Sequence, residues 1–462
     1  MSSKYSSVIW LMALLALAFC GLPDNSVIVN NIYVILGTVS YVFCLYNWLK
    51  SGNKIISIYA IFVLYMMMSH LGQSLLSLIA VPEELLDIYN RFQLDALTKY
   101  HRYQMLCAAA LNVGTVYALS KSGNVLPYKE CVEACKNNQS GWKNDFFLDA
   151  LLFLSLAYSA YKAVSFIILR QTVDYAEFFE QRSGGNMIFS IIRYLSLLLG
   201  LRYVYINRYR NFVYGIWTFL ILAYMIGGSR GTAISYVACM ALTLPITMPS
   251  LFIKRRMVYW LVGGIFVFSL LSVISANRSS VLSSGSLSSG EGLAVNVYST
   301  MSEMGGSAKT VVYSMQAIER NDIPHYQTNL YFLLAIPLPA SVVKSLGLSD
   351  VQLAGWVTDY AGSYWSGLGY SCIAESFVNY GWFGWLWFIL YGFFITYAEC
   401  YIHRRWAKRD MFVPGLLAIY LAVQIFYARA EIYHSQGTAR FCFYIYLIYK
   451  LFVSSRSYKR TA

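Results

Sequence analysis

Charged residues are few in this sequence, and several stand where an apolar segment begins or ends. The turn GGSRGT (residues 227–232) joins two apolar segments, so the second begins with free backbone N–H groups and the positive end of a helix dipole. Such a helix start binds anions, phosphate above all, and the guanidinium of Arg230 can hold a phosphate with two parallel hydrogen bonds. The alternative is a glycine turn whose Arg230 side chain merely extends to the membrane surface.

Two cations, Lys162 and Arg193, fall inside apolar segments. Each is a few residues from the outer end of its helix, on the order of 10 Å below the membrane surface. An unpaired cation deeper in a bilayer costs about 2.5–3.5 kcal/mol, so such residues usually have a partner or a task. A lipid diphosphate at the headgroup level would suit both. The alternative is extension to the interface, or pairing with Asp174 or Glu177.

Several acids and histidines could handle a proton. Arg429, Glu431 and His434 form a charged group beside an apolar segment, and the last two are close enough to meet on one helical turn. Glu375 is expected in the first turn of a helix, where the dipole favours the ionised carboxylate. Either carboxylate or either histidine, His434 or the loop residue His325, could accept a proton from a sugar hydroxyl. Ion pairing at the membrane interface is the alternative for each.

Motifs that would indicate a metal or a nucleotide are absent. The sequence has no Asp-x-Asp pair for a metal and a nucleotide sugar, and no His-Glu-x-x-His motif. The segment GGSAKT (residues 305–310) shares residues with a phosphate-binding loop but lacks the glycine before Lys309 and a preceding strand. We therefore expect no metal site and no cofactor.

The composition is that of an integral membrane protein. Apolar residues make up 58% and charged residues 12%. Several apolar runs reach the ~18 residues needed to cross a hydrocarbon core. Backbone groups in lipid must be satisfied within a segment, so these runs should be helices. The net charge of +13 reflects Lys and Arg in cytoplasmic loops, and no nucleic acid partner is expected.

The predicted fold is an all-α polytopic membrane protein with about twelve spans. The spans are 6–22, 26–49, 55–81, 103–120, 145–169, 186–206, 212–228, 232–253, 257–276, 376–398, 411–428 and 441–453. With both termini in the cytoplasm, well over half of the 35 Lys and Arg residues fall on the cytoplasmic side. The turn at 227–231, a long loop and the connection 428–440 then share the outer face.

The spans divide the chain into three parts. Residues 1–276 form a membrane domain with nine spans, 277–375 form a large extracytoplasmic loop, and 376–462 form three spans and a cytoplasmic tail. The loop is polar and carries a Ser/Gly tract at 283–292, so we expect it to be irregular. Because loops of this length are usually functional or disordered, we predict that it covers a site at one membrane surface.

The end of this loop resembles a known family. The stretch GLGYSCIAESFVNYGWFG (residues 367–384) resembles the G-x-G-x-S-x-x-x-E-x-x-x-N-x-G-x-x-G stretch of Wzy-type oligosaccharide repeat-unit polymerases, the O-antigen and capsule polymerases of bacteria. Its motif residues here are Gly367, Gly369, Ser371, Glu375, Asn379, Gly381 and Gly384. The GGSRG turn also resembles an element of these polymerases and of the related O-antigen ligases. The order of many spans, one large late outer loop and a few further spans is similar too.

The resemblance implies a membrane glycosyltransferase of GT-C-like architecture in the bacterial inner membrane, with its active face in the periplasm. The growing glycan would pass from undecaprenyl diphosphate to the distal sugar of an incoming lipid-linked repeat unit. Because the leaving group is already a diphosphate, the site must supply positive charge where it departs. A chain-length regulator is an expected partner.

The candidate residues then take three roles. Diphosphate contacts are expected from Arg230, Arg429, Lys162 and Arg193; catalytic handling of the acceptor from Glu375, Arg429, Glu431 and His434; and glycan contacts from Ser371, Asn379 and His325. Three other functions stay open. They are an O-antigen ligase, a polytopic transporter or flippase of lipid-linked oligosaccharide, and a membrane scaffold that binds partners through its loop.

Overall fold

A computed structural model describes residues 3–79, 81–122, 132–133, 135, 146–172, 187–227, 229–252, 293–322, 328–346, 353–362, 370–408 and 410–461. Helices are the regular secondary structure of these ranges. The α-helices are α1 (Ser3–Phe19), α2 (Val27–Lys50), α3 (Ile58–Ser77), α4 (Asp87–Arg91), α5 (Leu94–Lys121), α6 (Phe146–Thr172), α7 (Met187–Tyr205), α8 (Arg210–Ile226), α9 (Arg230–Thr247), α10 (Leu293–Gly305), α11 (Ala308–Glu319), α12 (Thr328–Ala335), α13 (Ala340–Ser345), α14 (Leu353–Tyr360), α15 (Cys372–Tyr380), α16 (Trp385–Ala407), α17 (Phe412–Gln424) and α18 (Gln436–Thr461). Short 3-10 turns cover Glu83–Leu85, Pro249–Phe252, Gly381–Gly384, Ile425–Arg429 and Ile432–Ser435.

Six helical segments of the described residues are long and apolar enough to cross a membrane. They are Val27–Lys50, Ile58–Ser77, Phe146–Leu169, Ile188–Tyr205, Cys372–Ala407 and Phe412–Arg429. Three shorter apolar helices cover Lys4–Phe19, Arg210–Ile226 and Gly231–Thr247. The helical membrane class predicted from composition is confirmed. The count of twelve stays a prediction, and its span at 257–276 lies outside the described residues.

The centre of the bundle is α5, which packs against α1, α2 and α16. Glycines set the closest approach between α5 and α16. A Cβ placed on Gly114 would lie 2.1 Å from the carbonyl oxygen of Ile389, and one on Gly392 would lie 2.4 Å from that of Leu111. Small residues let membrane helices approach closely and gain van der Waals contact. The two helices therefore form a fixed frame for the segments at their ends.

The described residues of the long polar loop are largely helical, contrary to the expectation from its composition. Its described residues form five helices, α10 to α14, before α15 begins. Helix α10 docks on α3 through two glycines, because a Cβ on Gly72 would meet the Met301 carbonyl at 2.4 Å and one on Gly305 would meet the Gln73 nitrogen at 2.5 Å. These loop helices are short and amphipathic, so the sequence there has no long apolar run that would predict a helix.

The side-chain amide of Gln73 stabilises this contact through both its nitrogen and its oxygen. Its Nε2 donates to the Ser302 carbonyl at 2.8 Å, and its Oε1 accepts from the Ile88 N–H at 2.8 Å. The Ser302 hydroxyl in turn donates to the Leu85 carbonyl at 2.6 Å. The loop is therefore attached to α3 and to the segment that follows it by buried and half-buried hydrogen bonds.

The GGSAKT segment is the turn between α10 and α11. The N–H groups of Gly306, Ser307 and Lys309 donate to backbone carbonyls of the same turn, at 3.2–3.4 Å. Those groups are the ones that would cradle phosphate in a phosphate-binding loop. The segment thus uses its glycine for the close contact with α3.

The two ends of the bundle are distinguished by contacts along α3. The buried carboxylate of Glu399, near the end of α16, accepts the N–H groups of Ile58 and Tyr59 at the start of α3 (3.2 and 2.7 Å). His70 lies about 18 Å further along α3 at 1.5 Å per residue, and its Nε2 lies 3.0 Å from the Ala428 carbonyl oxygen. The connection after α17 therefore lies at the end opposite Glu399.

Gly114 provides a test of the central helix contact. We expect Gly114→Ala to lower the free energy of unfolding by about 1–3 kcal/mol, because the new methyl group must displace the α16 backbone. The matched control is Gly215→Ala in α8, where an added Cβ meets nothing within 4 Å. It should be neutral or stabilising by up to about 1 kcal/mol. Thermal unfolding of both purified variants in one detergent decides, and equal Tm values would contradict this packing.

Candidate functional site

Helix α9 begins at Arg230, inside the GGSRGT turn, as the sequence predicts. The carbonyl of buried Ser229 accepts the N–H groups of Thr232 and Ala233 at 3.1 and 3.2 Å, and its hydroxyl donates to the Thr232 hydroxyl at 2.8 Å. The serine thus closes the first turn of α9. Arg230 is placed at that helix start.

Arg193 contacts this turn. Its Nη1 donates to the Thr232 hydroxyl at 3.2 Å, and its guanidinium lies over the ring of Tyr194, 4.6 Å from the centroid. The Tyr194 hydroxyl lies 2.5 Å from the Thr438 hydroxyl in α18. Two adjacent residues of α7 therefore hold the starts of α9 and α18 together. The Arg193 side chain therefore has a hydrogen-bond partner and an aromatic partner inside the apolar helix α7.

Phe426 joins the GGSRGT turn to the connection between α17 and α18. A Cβ on Gly231 would lie 3.8 Å from the Phe426 ring, and that ring lies 5.3 Å from the imidazole of His434, measured between centroids. Arg429 follows Phe426 in the same 3-10 turn. The two segments that carry Arg230 and Arg429 therefore meet at one end of the bundle.

We call residues 425–435 the 3-10 connection, because two 3-10 turns replace the α-helix there. Three buried side chains from other helices lie within hydrogen-bond distance of its backbone or of Gln424, the residue before it. Tyr391 of α16 donates to the Gln424 carbonyl at 3.4 Å, and His70 of α3 lies 3.0 Å from the Ala428 carbonyl. Glu375 of α15 accepts the Ile432 N–H at 2.9 Å.

Glu375 lies in the first turn of α15, where the sequence places it. Its side chain is fully buried, and the helix around it is fixed at both ends. The Ser371 hydroxyl caps the helix by accepting the Ala374 N–H at 3.1 Å, and the Asn379 amide donates to the Glu375 carbonyl at 2.6 Å. The buried Ser371 and Asn379 thus have structural roles in α15, and glycan contact by either stays a prediction.

Glu431 connects the 3-10 connection to the loop. Its Oε2 accepts the N–H of Leu353, the first residue of α14, at 2.9 Å. Burial and, second, the charge of Glu375 raise the pKa of Glu431 to about 8. Two carboxylates near each other with one held protonated are the arrangement of an acid–base pair.

The remaining cations divide between the site and the membrane surface. Arg429 is half-buried beside Ala428, whereas Lys162 lies over the rings of Tyr158 and Tyr161 in its own helix, 6.0 and 5.8 Å from the centroids. The Tyr161 side chain is 64% exposed, so that face of α6 is an outer face of the bundle. The structure does not bring Lys162 to the 3-10 connection. His325, Asp174 and Glu177 lie outside the described residues.

Sequence reasoning missed two residues at this end. His70 bonds the 3-10 connection from α3, and Lys309 of α11 lies close enough to Arg429 to feel its charge. His70 sits within an apolar run, where a lone histidine gives no periodic signal. Lys309 was visible only as part of the rejected GGSAKT motif.

A comparison with protein families decides the identity. The family model of O-antigen polysaccharide polymerase Wzy matches residues 5–461. The chain belongs to this family. No curated protein and no solved structure matches the chain.

Membership of the Wzy family confirms the resemblance drawn from the two motifs. It also supports O-antigen polymerisation as the general activity, in a protein with several membrane-spanning helices and a lipid-linked oligosaccharide as substrate. The residues above carry no assignment from that match, so their roles are argued from geometry.

The pKa of Glu431 gives a test of the carboxylate pair. Because folding raises this pKa from 4.5 to about 8, the folded chain holds the proton more tightly than the unfolded chain. The free energy of unfolding should fall as pH rises through that interval, by at most about 1.4 kcal/mol per unit. Glu431→Gln is neutral and keeps an oxygen for Leu353, so it should lose this dependence.

The measurement is thermal unfolding of wild type and Glu431→Gln in one detergent between pH 6 and pH 9. The Tm of the variant, relative to that of wild type, should increase as pH rises. Parallel curves for the two proteins would contradict a protonated Glu431.

Proposed function

We propose that this protein is the polymerase of a lipid-linked oligosaccharide pathway, acting at the outer face of the bacterial inner membrane. It transfers the growing glycan from undecaprenyl diphosphate to the distal sugar of an incoming lipid-linked repeat unit. The observation that carries the proposal is the meeting of two cation-bearing segments, the start of α9 and the 3-10 connection, at one end of the bundle. In this proposal both termini lie in the cytoplasm.

The site must first stabilise the departing diphosphate. The Arg429 side chain is half-buried within the 3-10 connection. Arg230 is the first residue of α9, where the helix dipole also favours an anion. Arginine holds phosphate oxygens with two parallel bonds in a fixed geometry, and partial burial strengthens the interaction. Arg193 supports this arrangement through Thr232. We assign the diphosphate to the space between these two segments.

The acceptor hydroxyl must lose a proton as the new bond forms. His434 is exposed and lies against the Phe426 ring, which also lies next to Gly231. An exposed imidazole can accept such a proton from a sugar hydroxyl that reaches it. We assign this role to His434, while Glu375 and Glu431 hold the 3-10 connection and α14 in place through their backbone bonds.

Family membership favours a polymerase over the alternatives left by the sequence. The matched family is that of the polymerase, whereas the O-antigen ligase, the flippase and the scaffold were open on the motifs alone. The transfer uses a substrate already activated by its diphosphate, so charge stabilisation and positioning are the main demands on the protein. A chain-length regulator as partner stays a proposal.

Reconstituted polymerisation tests the function directly. Purified wild-type protein incubated with undecaprenyl-diphosphate-linked repeat units should produce a ladder of longer glycans. Arg429→Lys keeps the charge but loses the two-pronged geometry, so we expect a roughly 10- to 100-fold lower rate and short products. Arg230→Lys should act in the same direction.

The matched control is Arg405→Lys at the opposite end of the bundle. Arg405 donates a hydrogen bond to the Tyr401 hydroxyl and has no contact with the substrate in this proposal. Its ladder should equal that of wild type. A full ladder from Arg429→Lys at normal rate would remove Arg429 from the site, and no lengthening by wild type would refute the proposed function.

The role of His434 is tested by single-turnover rates. We expect His434→Gln to lower the rate of glycan transfer by about 10²–10⁴, the usual size of general-base catalysis. Binding of undecaprenyl diphosphate should stay within a factor of about three of wild type, because the phosphate contacts are elsewhere. A transfer rate equal to that of wild type at every pH would exclude His434 as the base.

A further inference from the structure

Lys309 lies in the first turn of the loop helix α11. Its side chain is 16% exposed and forms an ion pair with Asp87, whose other oxygen bonds Arg91 at 2.6 Å. Asp87 itself is 33% exposed. One partly exposed carboxylate therefore serves two cations. Helix α11 is part of the loop that sequence reasoning expected to be irregular.

Contacts along α3 place Lys309 at the end of the bundle where Arg429 lies. Lys309 pairs with Asp87, the residue before Ile88, and the Ile88 N–H bonds Gln73, one helical turn from His70 on α3. His70 lies 3.0 Å from the carbonyl of Ala428, the residue before Arg429. Burial and, second, the charge of Arg429 lower the pKa of Lys309. The two cations thus approach from different parts of the chain, one from the loop and one from the 3-10 connection.

Like charges placed together in a partly buried region cost free energy, and an anion between them relieves that cost. Asp87 supplies one negative charge and shares it with Arg91. A diphosphate carries more charge and more acceptor oxygens than a carboxylate. It would therefore compete well for a lysine that is held near an arginine.

We propose that Lys309 is a further diphosphate contact, which exchanges Asp87 for the carrier's diphosphate when the lipid-linked substrate binds beside Arg429. This inference rests on the proposed function and adds a residue from the loop to its site. It also gives the loop a task in the reaction, since α11 would supply one of the cations that hold the carrier. The competing interpretation is that the pair of Lys309 and Asp87 only attaches the loop.

The chain offers a matched control on the same helix. At the far end of α11, Glu319 pairs with Lys99 of α5 at 3.2 Å, with exposed fractions of 44% and 32%. That pair also attaches α11 to the bundle. Lys99→Gln therefore measures what the loss of one attaching ion pair does to the protein.

The experiment measures the affinity of undecaprenyl diphosphate in phosphatidylcholine nanodiscs for wild type, Lys309→Gln, Lys309→Arg, Asp87→Asn and Lys99→Gln. We expect Lys309→Gln to bind about tenfold more weakly, which corresponds to about 1.4 kcal/mol. Lys309→Arg and Lys99→Gln should stay within about threefold of wild type. Asp87→Asn should bind as well as wild type or more tightly, because it no longer competes for Lys309.

Two results would overturn the proposal. One is equal affinity for Lys309→Gln and Lys99→Gln, and the other is an equal loss in Lys309→Gln and Asp87→Asn, which would make the pair an attachment only. If Lys309→Gln does not fold, Asp87→Asn decides, since weaker binding by that variant contradicts the exchange. Failure of wild type to lengthen glycan would instead refute the proposed function.

Phosphatidylglycerol titrated into the same nanodiscs separates the carrier from an ordinary lipid phosphate. It should compete equally weakly in wild type and in Lys309→Gln. Competition that is strong in wild type and relieved in Lys309→Gln would assign Lys309 to a membrane phosphate and overturn the proposal.

Discussion

Backbone groups that leave the α-helix within an apolar bundle must find hydrogen-bond partners from neighbouring side chains. At residues 425–435 the protein gives up two turns of α-helix, and lipid offers no replacement for those bonds. The replacements come from Tyr391, His70 and Glu375, which stand on three different helices. The 3-10 connection can exist only where those helices converge, and it is this connection that carries Arg429, Glu431 and His434.

The same requirement explains the two buried carboxylates at this end of the bundle. Glu375 accepts a backbone N–H of the 3-10 connection, and Glu431 accepts one from the loop helix α14. A carboxylate bonded in this way holds two segments in register at the cost of desolvation. Loss of activity after removal of either side chain is thus expected from a structural role as well as from a chemical one. Irregular backbone in a membrane bundle is tolerated where it is enclosed by protein or lines a cavity, which suits a site for a polar headgroup.

Local sequence patterns predicted the positions of single elements well. Glycine, serine and arginine before an apolar run marked the start of α9, and the motif around Glu375 placed that residue in the first turn of a helix. These features depend on residues within one or two turns. The helical membrane class followed from composition in the same way, whereas the count of spans did not, because several helices are shorter or less apolar than a full span.

Contacts between distant parts of the chain were not visible in the sequence. Gly72 and Gly305 allow the close approach of α3 and α10, and the residues next to either glycine in the sequence do not indicate that contact. His70 reaches the site from α3, and Lys309 approaches the same end of the bundle from the loop, by contacts that span long stretches of the sequence. Ser371 and Asn379 bond backbone groups within four residues of themselves, but their burial comes from the packing of α15 in the bundle. A pattern that ranked them as glycan contacts had no means of seeing their burial.

The central claim is that the carrier's diphosphate binds at the end of the bundle where α9 begins and the 3-10 connection lies. The most direct measurement is an electron cryomicroscopy structure of the protein in nanodiscs with undecaprenyl-diphosphate-linked repeat unit bound. The account predicts density for the diphosphate in contact with Arg429, between the 3-10 connection and the start of α9. Density at the opposite end, near Glu399 and His403, or on the lipid-facing surface near Lys162, would contradict it.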